Sequence, residues 1–125
     1  LGELFLGKNT FTGVILTSIS KASKLRRLDI AMNHFTGEIP HSLGNLRLLE
    51  LLVVAENDFS GDSRSKELSF ITSLANCRNL RKLWIGGNPL NGFLPKSTGN
   101  LPAHSNHLVQ VIVESKVKFQ VQLVI

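Results

Sequence analysis

The sequence predicts a right-handed α/β solenoid, a stack of short parallel strands backed by 3₁₀, helical and irregular segments. Three observations carry that expectation. A seven-position frame recurs around Asn9, Asn33, Asn57 and Asn88, which stand 24, 24 and 31 residues apart. Self-similarity at such a period marks stacked supersecondary units, none of which can bury its apolar face alone. Inside each copy two apolar residues stand two positions apart, so both lie on one face of a strand. Finally, 125 residues with 42% hydrophobic and 18% charged content suit one packed domain and leave no room for a second.

The first copy reads Leu1, Leu4, Leu6, Asn9, Phe11, Gly13, Ile15. The second reads Leu25, Leu28, Ile30, Asn33, Phe35, Gly37, Ile39, Pro40, and the third Leu49, Leu52, Val54, Asn57, Phe59, Gly61. The fourth reads Leu80, Leu83, Ile85, Asn88, Leu90, Gly92, Leu94, Pro95. Four repeats follow, at about 1–24, 25–48, 49–79 and 80–101, with a non-repeat, β-prone tail over 102–125. In L-x-x-L-x-L-x-x-N the L-x-L core forms the strand, and strands of successive repeats stack in parallel. The asparagine stands where the strand ends. Its amide both donates and accepts, so Asn9, Asn33, Asn57 and Asn88 are expected to form a structural ladder that satisfies buried backbone groups. The glycine that follows is expected to free the backbone for a tight bend. After Pro40 and Pro95 the chain enters short irregular or 3₁₀ segments, His41 to Leu46 and Lys96 to Leu101, on the convex side.

The run N-H-F-T-G-E-I-P-H-S-L-G-N-L at Asn33 to Leu46, with N-P-L-N-G-F-L-P-K-S-T-G-N-L at Asn88 to Leu101, resembles the plant-specific class of leucine-rich repeat. The longer third repeat, Asn57 to Leu80, resembles the extended repeat of plant leucine-rich-repeat receptor kinase ectodomains, including the subfamily of microbial-pattern receptors. The resemblance covers residues 1 to 101. It implies a horseshoe with parallel strands on the concave face. It also implies a recognition module for a protein or peptide ligand, working with a co-receptor in perception or defence signalling at the extracellular side of the plasma membrane. Departures are visible. Leu16 replaces the proline of the first repeat, and Asp62 and Ser63 replace Ile-Pro in the third. A signal peptide, paired-cysteine caps, a transmembrane helix and the kinase motifs are missing, so this chain is expected to be a non-catalytic piece of such a receptor. Two alternatives stand beside it: a full-length membrane receptor serine/threonine kinase, and a secreted repeat protein that inhibits a microbial enzyme.

Composition removes other classes. The net charge of +5 favours acidic partners, but the basic residues are scattered from Lys8 to Lys118, with no aromatic-interleaved stripe for nucleic acid. The longest apolar stretch, Leu51 to Ala55, is far too short to insert in a membrane. Cys77, the single cysteine, is expected to be a buried structural thiol. His104 and His107 form an H-x-x-H pair without a third ligand at useful spacing, so neither metal nor cofactor is expected.

In the tail, Val109, Val111, Val113, Val117, Phe119, Val121, Leu123 and Ile125 fall on odd positions, a strand or hairpin pattern turning near Glu114 to Lys116. Two readings fit. One is a strand that closes the open end of the solenoid. The other, the more favoured on sequence alone, is a truncated gene model or divergent read-through whose apolar face has no natural partner.

The functional surface follows from stacking the frame. The x positions of the strands face the concave side, where solenoids bind partners. One column runs Gly2, Arg26, Glu50, Arg81; the next Glu3, Arg27, Leu51, Lys82; a central one Phe5, Asp29, Val53, Trp84. Arg26, Arg27, Asp29, Glu50, Arg81, Lys82 and Trp84 are therefore the candidate partner contacts, since arginine and tryptophan dominate binding hot spots. The alternating signs of Arg26, Glu50 and Arg81 equally suit a surface ion-pair ladder.

Overall fold

The computed structural model describes residues 2–61, 64 and 67–92, together with the backbone pairing of 109–112 and 120–123. In chain order the elements are β1 (Glu3–Phe5), β2 (Thr12–Gly13), α1 (Leu16–Ile19), β3 (Arg27–Asp29), β4 (His34–Glu38), β5 (Leu51–Val53) and β6 (Asp58–Ser60). There follow α2 (Phe70–Ser73), β7 (Lys82–Trp84), β8 (Val109–Ile112) and β9 (Gln120–Leu123). Two 3₁₀ segments, His41–Asn45 and Leu74–Asn76, complete the convex side.

The L-x-L cores supply β1, β3, β5 and β7 of the concave sheet, whose order β1-β3-β5-β7-β8-β9 is completed by two tail strands. Leu4, Leu28, Leu52 and Leu83 are direct partners in successive parallel pairs. That register puts the leucine of each repeat above the leucine of the last, and Leu28, Leu52 and Leu83 lose all contact with water. Burying one such side chain contributes about 1.5–3 kcal/mol, which explains why the frame repeats leucine so strictly. Behind the sheet, Leu16, Leu43, Leu46, Ile71 and Leu74 close the interior from the convex segments. Gly44 allows the convex layers to meet: a Cβ there would collide with the backbone oxygen of Ser73 in the next repeat.

One expectation is corrected. The glycine positions do not mark a simple bend; they lie within or beside a second parallel sheet, β2-β4-β6. Gly13 and Gly37 hold φ of +98° and +96°, a conformation that costs other residues steric strain. The phenylalanine before each glycine supplies the reason for the second sheet. Phe11, Phe35 and Phe59 stack with ring centroids 6.1 and 6.5 Å apart, so each repeat holds the next at strand-pairing distance.

The 3₁₀ segment begins at His41, directly after Pro40, as the proline requires. In repeat 1 Leu16 itself opens α1 and turns its side chain into the core. Lys96 to Leu101, Asp62, Ser63, His104 and His107 lie outside the described residues. In the tail, β8 pairs in parallel with β7, Leu83 opposite Val111 and Trp84 opposite Ile112, and β9 returns antiparallel on β8. The tail backbone thus takes the sheet edge left by β7, the less favoured of the two sequence readings. Its turn near Glu114 to Lys116 lies outside the described residues.

Candidate functional site on the concave face

The asparagines hold the strands at the spacing the site needs. Asn33 Nδ2 donates to the carbonyls of Ile30 and Ala31 in its own repeat and of Leu6 in the one before, at 2.9–3.2 Å. Its Oδ1 accepts the Phe11 N–H at 3.1 Å. Asn57 and Asn88 repeat the pattern, with the N–H of Phe35 and Phe59 as donors. Asn33 and Asn57 are each 5% exposed. The Asn9 side chain is exposed and, among the described residues, donates to the carbonyls of Leu6 and Gly7 in its own repeat. Asn91, outside the frame, is exposed and adopts φ +49°.

The concave columns stand in the register that the frame implies: Glu3, Arg27, Leu51 and Lys82 are successive partners, as are Phe5, Asp29, Val53 and Trp84. The charged column is already engaged with itself. Arg26 Nε meets Glu50 Oε2 at 2.8 Å, and Arg27 reaches Glu3 at 3.4 Å and Glu50 at 3.9 Å. The Arg26 hydrogen bond holds the Glu50 carboxyl below the ordinary carboxylate range; burial opposes this, and the charges of Arg26, Arg27 and Arg81 add to it. The same partner raises the Arg26 guanidinium. Arginines so paired offer less to an incoming ligand than their exposure suggests.

Beside this column lies a concave groove of about 560 Å³, lined by Phe5, Gly7, Lys8, Asp29, Ala31, Met32, Val53, Ala55, Glu56 and Trp84. It brings together Asp29 and Trp84 of the candidate contacts and leaves Arg26, Arg27, Glu50, Arg81 and Lys82 outside its lining. Trp84 is half-buried rather than fully solvent-facing. Lys82 Nζ sits 4.9 Å from its ring centroid, a cation–π contact. The indole Nε1 is shielded from solvent and meets no hydrogen-bond acceptor among the described residues.

Sequence reasoning missed Gly7, Lys8, Ala31, Met32, Ala55 and Glu56. The signal lay in the two x positions between the strand core and the asparagine. Gly7, Ala31 and Ala55 are small and leave the volume open. Lys8, Met32 and Glu56, at φ of +60°, +58° and +56°, occupy the left-handed region, as does Gly87 at +74° in the fourth repeat. Left-handed backbone turns these side chains away from the direction a strand would give them. On the convex side Cys77 is buried, its Sγ 3.6 Å from the Leu43 carbonyl oxygen, and burial pushes the thiol up to about 11. Among the described residues no cluster of His, Cys, Asp or Glu could hold a metal ion, and no helix is long and apolar enough to cross a membrane.

Parallel L-x-L strands, a ladder of buried asparagines and a second sheet behind it define a leucine-rich-repeat solenoid. The chain carries leucine-rich repeats, and the proteins it is similar to include a plant receptor-like kinase and ectodomains of plant receptor kinases. The family model for the Leucine Rich Repeat matches residues 24–46 and 79–101. A probable LRR receptor-like serine/threonine-protein kinase of Arabidopsis thaliana is 54% identical over 39 residues, 31% of this chain and 4% of that protein. The LRR ectodomain of the Arabidopsis thaliana receptor kinase SOBIR1 superposes with a TM-score of 0.67 at 31% identity, covering 81% of this chain and 51% of that one. The plant peptide hormone receptor RGFR1, solved in complex with RGF2, gives 0.74 at 30% identity, covering 91% of this chain and 16% of the receptor. The chain therefore spans a small part of the curated relative and about half of the SOBIR1 ectodomain.

Proposed function

We propose that this chain is a non-catalytic recognition segment of a plant receptor ectodomain, binding a peptide or protein ligand in its concave groove. The observation that carries this reading is the groove itself: an open, largely apolar cavity across repeats 1 to 4 with a tryptophan in its wall. The relatives support it. RGFR1 was solved with RGF2, and the receptor kinase HAESA with the peptide hormone IDA and the co-receptor SERK1. In this reading the ectodomain faces the extracellular side of the plasma membrane, recruits a co-receptor, and serves perception or defence signalling. Catalysis, if the parent carries a kinase, lies outside this chain.

Trp84 is the only tryptophan, so its fluorescence reports on the groove directly. Peptides selected from a random library on the immobilised chain should change that fluorescence on titration. Ala31→Arg, which fills the groove between Met32 and the strands, should weaken them at least tenfold while the circular dichroism melt is retained. Peptides that bind Ala31→Arg as well as the native chain would move the ligand site off this face.

A further inference from the structure

Resting on that reading, we propose that the groove selects peptides carrying a basic side chain beside an apolar one, with the cation paired to the Glu56 carboxylate. The chain as a whole is cationic at +5, which favours acidic partners. The groove lining has the opposite balance: its charges are Asp29, Glu56 and Lys8, two carboxylates against one ammonium, and the Lys82 ammonium at its edge is engaged over the Trp84 ring. Asp29 Oδ1 already accepts the Ala31 N–H at 3.0 Å, so part of its capacity is used. Glu56 is exposed and makes no ion pair among the described residues. Its placement is built into the backbone. Glu56 stands at φ +56°, and its carboxylate lies over Gly87, where a Cβ would come within 2.7–2.9 Å of the Cδ and both oxygens. Glycine in the fourth repeat therefore leaves the space in which the carboxylate rests.

Lys8 stands two repeats away, about 10 Å at the spacing of paired strands, too far to neutralise Glu56 directly. On either side of Glu56, Met32 of repeat 2 and the Trp84 ring of repeat 4 offer apolar surface, which lowers the local dielectric and strengthens a charge pair at its margin. An acidic peptide would set its carboxylate against Asp29 and Glu56. Arg26 and Arg27, which would attract such a peptide, are paired with Glu50 and Glu3 outside the groove.

The test uses two N-acetylated, C-amidated tetrapeptides, Leu-Phe-Leu-Lys and Leu-Phe-Leu-Glu, titrated against the full chain by Trp84 fluorescence at low salt. The lysine peptide should bind at least about fivefold tighter, and the preference should fall below about twofold in Glu56→Gln. Equal affinities, or a preference that survives Glu56→Gln, would overturn the charge assignment while leaving the groove as a peptide site. Failure of both peptides to bind a chain with a native melt would remove the groove reading together with the assignment.

Discussion

Asn57 and Phe35 are joined across two repeats: Asn57 Oδ1 accepts the Phe35 backbone N–H at 3.1 Å in a site that water does not reach. The same side chain donates to Ile30, Val54 and Ala55, so one amide closes the strand end of repeat 3 and ties down repeat 2. Asn57→Ala should strand those groups, at roughly 1–3 kcal/mol for each left unpaired. Asn9→Ala removes the same residue type at the same frame position, but its bonds are exposed and internal to its repeat. Its cost should stay within about 0.5 kcal/mol. Denaturant unfolding compares the two; equal losses would dissolve the ladder as a source of stability. Asn91 is a poorer control than its exposure suggests, because φ +49° favours asparagine over alanine.

Gly44→Ala should destabilise by about 1–3 kcal/mol, since the added Cβ meets the Ser73 backbone oxygen and backbone cannot swing aside. Gly2→Ala meets nothing within 4 Å and should fall within about 0.5 kcal/mol of the native chain. Thermal melts of the two variants give the comparison. A neutral Gly44→Ala would show that the convex segments of repeats 2 and 3 are not in close contact.

Cys77 should resist thiol reagents in the folded chain. With the thiol pushed up to about 11, roughly one in a thousand is ionised at pH 8, and the sulfur is buried. Reaction with Ellman's reagent at pH 8 should be at least about 100-fold slower in buffer than in guanidinium chloride. Comparable rates would place the sulfur at the surface.

Glu50 links stability to acid pH. Its folded-state pKa lies below the unfolded value, chiefly through the Arg26 hydrogen bond, so as pH falls the unfolded chain takes up this proton first. The contribution is fully present above the unfolded pKa and is lost as pH drops through the folded one. Both partners are solvent-accessible, so the effect is small. The melting temperature of the native chain should exceed that of Glu50→Gln near neutrality, and the gap should narrow as pH falls through the carboxylate range and close once it passes the lowered folded-state pKa. A gap that does not change with pH would assign Glu50 a packing role instead of an ionic one.

Much of this molecule was legible in its sequence. The period of the leucines and asparagines determines which residues stack, because parallel strands a repeat apart can pair only in the register that keeps every leucine inside. Leu4, Leu28, Leu52 and Leu83 could be aligned on that ground, and the columns ending at Lys82 and Trp84 with them. Tertiary structure alone decided what depends on two repeats meeting. The second sheet exists because Phe11, Phe35 and Phe59 stack and bring short segments of weak intrinsic preference within hydrogen-bonding distance. The Arg26–Glu50 pair was already suggested by the alternating signs of its column, and strand pairing adds Arg27 between Glu3 and Glu50. The groove arises from small residues at 7, 31 and 55 beside left-handed positions at 8, 32 and 56, and Glu56 rests on Gly87 across a 31-residue separation. Backbone handedness and through-space proximity are properties of the folded chain, and no local pattern of residue types encodes them.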